Sequence, residues 1–253
     1  MSVNARAWQS RRRSTLLWIA GVAAVGPGLL VGLGFARDAQ ATRAPSAAQL
    51  LHTALVDAAA RGSGHQAVSS GSGSKTSTFS DDVATNEGRQ VITLSDGARA
   101  RILVVGGVAY FSGNQTALVQ LFGLPAAVAR DVGKRWVSVP SSNSKYSAVA
   151  ADTTLPATLA AITPSGALTA TASTRLHGEA AVAIRGRAPA PQSQPGFETM
   201  YVTDSSRPLP LLVTFNLQAS GRLVAGTETI ALTDWGEHLA LAPPTNTIPV
   251  SKI

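Results

Sequence analysis

The chain has 253 residues, 45% of them hydrophobic, with 21 basic and 14 acidic side chains and a net charge of +7. It contains no cysteine, which in an exported protein excludes disulfides, thiol catalysis and cysteine-ligated metal sites. The length allows one ordinary domain or two small ones once any targeting segment is set aside.

Residues 1–14 carry Arg6, Arg11, Arg12 and Arg13 and no acid, whereas every acidic residue stands at Asp38 or later. Residues 15–36 are uncharged and rich in Leu, Val, Ala and Gly; as a helix they would reach about 33 Å, enough to span a bilayer. The positive-inside rule then predicts a cytoplasmic N-terminus (1–14), a single transmembrane anchor (15–36), a linker (37–46) and one extracytoplasmic domain (47–253) in the cell membrane. The alternative is a long signal peptide cut after Ala41, where Ala39 and Ala41 supply the small residues that cleavage needs. The apolar core exceeds the roughly 7 to 15 residues usual in a cleaved signal, which favours the anchor. The outer part keeps 17 basic against 14 acidic residues, a net charge of +3. Much of the positive charge is thus a topology signal, and no nucleic-acid partner is expected.

Beyond the linker, Ser46 is placed to cap a helix whose Leu50, Leu51, Ala54, Leu55 and Ala58 share one face, ending near Gly62. Gly, Ser and Thr dominate residues 63–80, a stretch open to reading as loop or as solvated edge strand. From Gly88 the period is two: Ile92 and Leu94, then Ala98, Ala100, Ile102 and Val104 alternate with polar neighbours before a Gly106-Gly107 turn and a second apolar run from Val108 to Phe111. Asn114 caps a helix with Leu118, Leu121 and Phe122 inward, and Pro125 opens another. A short strand from Trp136 to Val139 precedes a helix carrying Leu155, Leu159 and Ile162, stopped by Pro164. The last third is strand-like. Its clearest element places Leu209, Leu211, Val213, Phe215 and Leu217 on one face, paired across a Ser220-Gly221 turn with the strand from Leu223 to Thr233. Strands, then helices, then strands predict an α+β fold: an antiparallel sheet with helices on one side.

Catalytic motifs are missing. No G-x-S-x-G elbow or phosphate-binding loop occurs, His52, His65, His177 and His238 are widely spaced, and Asp81-Asp82 lacks the alternating oxygen ligands of a calcium loop. The expectation is a protein that is not an enzyme and has neither catalytic nor metal residues nor a cofactor. Lys134-Arg135-Trp136 reads as a solvated turn before a core tryptophan rather than a nucleic-acid or headgroup contact.

The segments VVGGVAYFSGN (104–114), GKRWVSVP (133–140) with Tyr146 after it, and IALTDWGE followed by LAPP (230–244) resemble, in that order, the LppX/LprG-type lipoproteins of the actinobacterial envelope. The resemblance covers roughly residues 47–248. It implies a LolA-like half-barrel, a curved antiparallel sheet whose concave side is covered by helices, with an apolar cavity between them that holds acyl chains. Val104, Tyr110, Leu118, Leu121, Phe122, Leu159 and Ile162 are the candidates to line such a cavity; alternatively they fill a closed core. The chain departs from the family in lacking the acylated cysteine, with the apolar span in its place. A retained span puts in doubt any ferrying of lipid away from the membrane. Two functions follow as expectations: a membrane-anchored extracytoplasmic domain that binds a lipid or other apolar ligand in envelope lipid handling, or a non-enzymatic interaction or scaffold domain with a closed core. Neither protein partners nor oligomeric state can be read from these patterns.

Overall fold

The computed structural model describes residues 45–72, 75–189, 195–219 and 225–253. The predicted span at 15–36, the cleavage alternative at Ala41 and the Ser220-Gly221 turn lie outside the described residues. Among the described residues no helix is long and apolar enough to cross a membrane.

Helix α1 (Ala47–Arg61) begins at a reciprocal capping box: the Gln49 amide N–H donates to Ser46 Oγ at 3.3 Å, and the Ser46 N–H donates to Gln49 Oε1 at 2.9 Å. It ends where Gly62 turns left-handed at φ 78°. Leu51, Ala54 and Ala58 are its buried stripe, with Leu50 and Leu55 half-buried beside them, as the spacing predicts.

The Gly/Ser/Thr stretch at 63–80 resolves into strand. It makes β1 (Ser63–Ser72) and most of β2 (Lys75–Ala84), paired antiparallel over their whole length. These are central strands and not edges, since β1 has β12 on its other side and β2 has β3. Propensity fails here because backbone pairing on both sides and burial of one face outweigh the weak intrinsic preferences of Gly and Ser. Strands β3 (Gly88–Thr93), β4 (Arg99–Val105) and β5 (Val108–Gly113) follow. Helices α2 (Gln115–Gln120) and α3 (Ala126–Val132) lead to β6 (Trp136–Pro140), and α4 (Tyr146–Ala150) and α5 (Leu155–Ala161) follow it. Asn114 caps α2 as predicted: its Oδ1 accepts from the Ala117 N–H at 3.0 Å and also from the Arg99 N–H at 3.1 Å, so one side chain ties the helix to β4.

The second half runs through β7 (Ser165–Ala170), β8 (Thr174–Leu176), β9 (Glu179–Arg187), β10 (Gly196–Thr203), β11 (Pro210–Leu217), β12 (Gly226–Thr233) and the short β13 (Thr247–Pro249). The open sheet has the order β13-β6-β5-β4-β3-β2-β1-β12-β11-β10-β9-β7, with β8 also on β9. Thus β12 returns to β1 and joins the two halves into one sheet. The expected fully antiparallel sheet is corrected at one edge. Beyond β12 the chain crosses to the far side, where β13 pairs parallel with β6, so the sheet is mixed. Trp235 fixes the start of that crossing through Nε1–H donated to the Pro210 carbonyl at 2.9 Å.

A second correction concerns β11. The pairing with β10 passes from Tyr201–Leu212 directly to Val202–Pro210, so Leu211 is the extra residue of a bulge. Leu209, Val213, Phe215 and Leu217 pack in one cluster, and Leu211 is not among them. Pro210, which has no N–H to give a ladder, sits at the break.

The loop between α4 and α5 presses onto β3 at Gly88. A β-carbon there would lie 2.0 Å from the Thr153 carbonyl oxygen and 2.8 Å from that of Asp82, so only glycine allows this approach. Thr153 is buried, its hydroxyl donating to the Ala150 carbonyl at 3.0 Å.

Candidate functional site

On the helix-covered face the apolar side chains form two clusters. One joins β3 to β6 with α2, α3 and α4, and includes Ile92, Ile102, Val104, Phe111, Leu118, Leu121, Val132 and Val149. The other joins β1 and β9 to β12 with α1 and α5, and includes Leu51, Leu155, Leu159, Ile162, Met200, Val213 and Phe215.

The seven candidate lining residues therefore do not meet in one place. Val104, Leu118 and Leu121 belong to the first cluster with the half-buried Phe122, whose ring stacks on Phe111 at 4.1 Å between centroids. Leu159 and Ile162 belong to the second. Tyr110 lies on the opposite face of the sheet, packed with Leu103, Val105, Trp136 and Leu241. The reason is the strand period: Tyr110 pairs with Leu103, one step from the Val104–Ala109 pair, so its ring points away from the helices. The segment leading to β13 covers that ring with Leu241, which lets a large side chain be buried there too.

What the sequence reading missed is a row that links the clusters. Across eight strands, Ala100, Ile92, Phe79, Val68, Ile230, Val213, Met200 and Ile184 stand directly opposite one another from β4 to β9. With strands about 4.8 Å apart, this apolar row is roughly 34 Å long. Every member is buried except the central pair, Val68 on β1 and Phe79 on β2, which are half-buried. Phe79 borders the first cluster and Val68 the second, so this pair is the seam between them. A sequence signal existed: Gln66, Val68, Phe79 and Asp81 fall symmetrically about a Gly-Ser turn, the mirror pattern that a hairpin needs.

Polar rows flank the seam. On one side Ser77, Ser70, Glu228, Phe215 and Glu198 are in register, with Ser77, Glu228 and Glu198 buried. On the other, Gln66, Asp81 and Gln90 are in register across β1, β2 and β3, all three buried. Gln66 Nε2–H donates to Asp81 Oδ2 at 2.5 Å. Burial pushes the Asp81 carboxyl up to about 8; the amides of Gln90 and Gln66 oppose that rise, and the Asp152 and Asp82 charges add to it.

Asp82, the next residue, faces the other way. His65 Nδ1–H donates to its Oδ1 at 2.6 Å and Arg89 Nε–H donates to its Oδ2. Partial burial raises this carboxyl, but the hydrogen bonds and charges of His65 and Arg89 outweigh that and leave it below its ordinary value. Two adjacent carboxyls are thus held on opposite faces in opposite protonation tendencies.

No family model matches the chain, and no curated protein matches it in sequence. Solved structures do. LprF from Mycobacterium bovis is similar at 15% identity with a TM-score of 0.50, over 78% of this chain and 96% of that one. The lipoprotein LppX from Mycobacterium tuberculosis matches at 17% identity and 0.46, over 76% and 98%. An uncharacterized conserved protein from Thermus thermophilus matches at 11% identity and 0.41, over 80% and 98%. At these identities the likeness concerns the fold, and LprF is the one of the three whose score carries it. The mixed open sheet, covered by helices on its concave side and running from a β1–β2 hairpin to a returning β12, is the LolA-like fold of the LppX/LprG-type lipoproteins.

Proposed function

We propose that the chain is an extracytoplasmic domain, held at the membrane by the segment at 15–36, that binds the acyl chains of a lipid or another apolar molecule along the row between sheet and helices. The observation that carries this reading is the continuous apolar row across eight strands, whose cover thins at Val68 and Phe79. A side chain of that kind, half-exposed at the centre of a covered sheet face, marks a place where an apolar guest can enter. The helices over this face, apart from α1, have only five to seven residues each, too short to be stable by themselves and so held only by their packing. The fold shared with LprF adds support. The role is binding rather than catalysis. A linker of ten residues at 37–46 reaches at most about 35 Å, which keeps the domain at the membrane surface and suits local extraction or presentation of a lipid.

A second reading, an interaction domain with a filled core, is favoured by one observation. Val104, Leu118 and Ile162 are no more than 1% exposed, so no open space adjoins them. The two readings separate on the seam. In the full-length chain in mild detergent, Val68→Trp should weaken binding of a fluorescent C16 acyl probe by about tenfold or more, worth about 1.4 kcal/mol, while leaving thermal unfolding nearly unchanged. Leu121→Trp, by contrast, should overpack its cluster and destabilise by about 1 to 3 kcal/mol, because Leu121 is 5% exposed and enclosed. A wild-type protein that binds no acyl probe would favour the filled-core reading.

A further inference from the structure

Beside the seam lies a carboxyl that the binding reading does not use. Asp81 is 1% exposed, its Oδ2 accepts from Gln66, and its Oδ1 is buried with no hydrogen-bond partner. Native structures rarely leave such an atom orphaned without a reason, since its lost hydration is not recovered. Asp81 and Phe79 are successive inward residues of β2, about 7 Å apart. A hydrocarbon chain crossing Phe79 and Val68 would therefore bring its polar end within reach of this carboxyl.

The geometry selects the chemistry of that end. With Oδ2 engaged as an acceptor, the proton of a neutral acid resides on Oδ1, which then presents a donor. The charged groups acting on Asp81 are both acidic: Asp152 from the loop between α4 and α5, and Asp82 on the same strand, itself paired with His65 and Arg89 on the outer face. Such surroundings repel an anionic headgroup. They suit an uncharged acceptor.

We propose that Asp81 is the polar end of the acyl-chain seam, its Oδ1 donating a hydrogen bond to the carbonyl oxygen of an acyl ester whose hydrocarbon lies across Phe79 and Val68. This rests on the binding reading above and adds to it an ester-recognising residue.

The test compares two ligands that differ only at that oxygen: 1,2-dioctanoylglycerol and its 1,2-dioctyl ether counterpart, each competing with a fluorescent acyl probe for the full-length protein. At pH 6.5 the wild type should bind the ester roughly three- to tenfold more tightly, the worth of one hydrogen bond. Asp81→Leu, which keeps the volume and removes the donor, should bind both alike and bind the ether as the wild type does. The wild type itself supplies a second readout that needs no variant. Above about pH 9 its carboxyl, with a pKa of about 8, has lost the proton, and the ester preference should disappear while ether binding persists. Equal affinities in the wild type at pH 6.5 would overturn the inference alone, as would a preference that survives in Asp81→Leu or at pH 9.5. Binding of neither ligand would overturn the acyl-binding reading and this inference with it.

Discussion

Phe215→Ala is expected to destabilise the protein by about 3 to 5 kcal/mol, the range for deleting a large buried aromatic. Phe215 is 1% exposed in the second cluster, and its strand is interior to the sheet, paired on both sides. In register it lies between Glu198 and Glu228, both buried. The cavity left behind could not collapse without moving β10 or β12, and it would open beside two acidic side chains, so the upper part of the range applies. Thr214→Ala, on the opposite face and only partly buried, should cost less than about 1 kcal/mol. Urea unfolding of the two variants beside the wild type measures both effects. Equal and mild losses would mean that the register of β11 beyond the Leu211 bulge is wrong.

The next largest effect is a dependence on pH. The Asp81 carboxyl is raised from 3.8 to about 8 by burial, so between those values the folded protein holds a proton that the unfolded chain has released. Stability from this group is fully present below pH 4 and is lost as pH rises through 8. The slope is a loss of roughly 1 kcal/mol per pH unit, on the order of 5 kcal/mol over the whole interval. Asp82 acts in the opposite direction, because a carboxyl lowered by His65 and Arg89 contributes stability above pH 4 and loses it only on acidification. Asp81→Asn removes the titrating proton and should flatten the decline between pH 5 and 8, leaving the protein more stable than wild type at pH 8. Denaturation midpoints measured across that range decide it; a decline that persists unchanged in the variant would mean that Asp81 is not its source.

The parts of this fold that were legible in the sequence are those with strong local signals. The Ser46 capping box, the Asn114 cap and the alternation from Ile92 to Val104 each specify an element from a few neighbouring residues, and the structure has them at those positions. The hairpin at 63–84 was ambiguous because its strands hold few apolar side chains; pairing with β12 and β3, distant or later in the chain, makes them strands. The parallel β13 depends on a crossing that no local pattern encodes. Tyr110 was placed on the wrong face because its neighbours are apolar on both sides: Ala109 and Phe111 face the helices, while Tyr110 is covered from the other side by Leu241. The seam was missed for the same reason as the hairpin, since Val68 and Phe79 gain their meaning only once β1 and β2 are paired and the row is completed by Ile92 and Ile230.

The most direct test of acyl binding at the seam is native mass spectrometry of the full-length protein released from mild detergent, beside the Val68→Trp variant. Binding along the apolar row predicts that the wild type carries an acyl lipid as a discrete added mass, near one per chain, and that Val68→Trp carries little or none. A wild-type protein that flies bare, or one whose lipid load is unchanged by tryptophan at Val68, would contradict it.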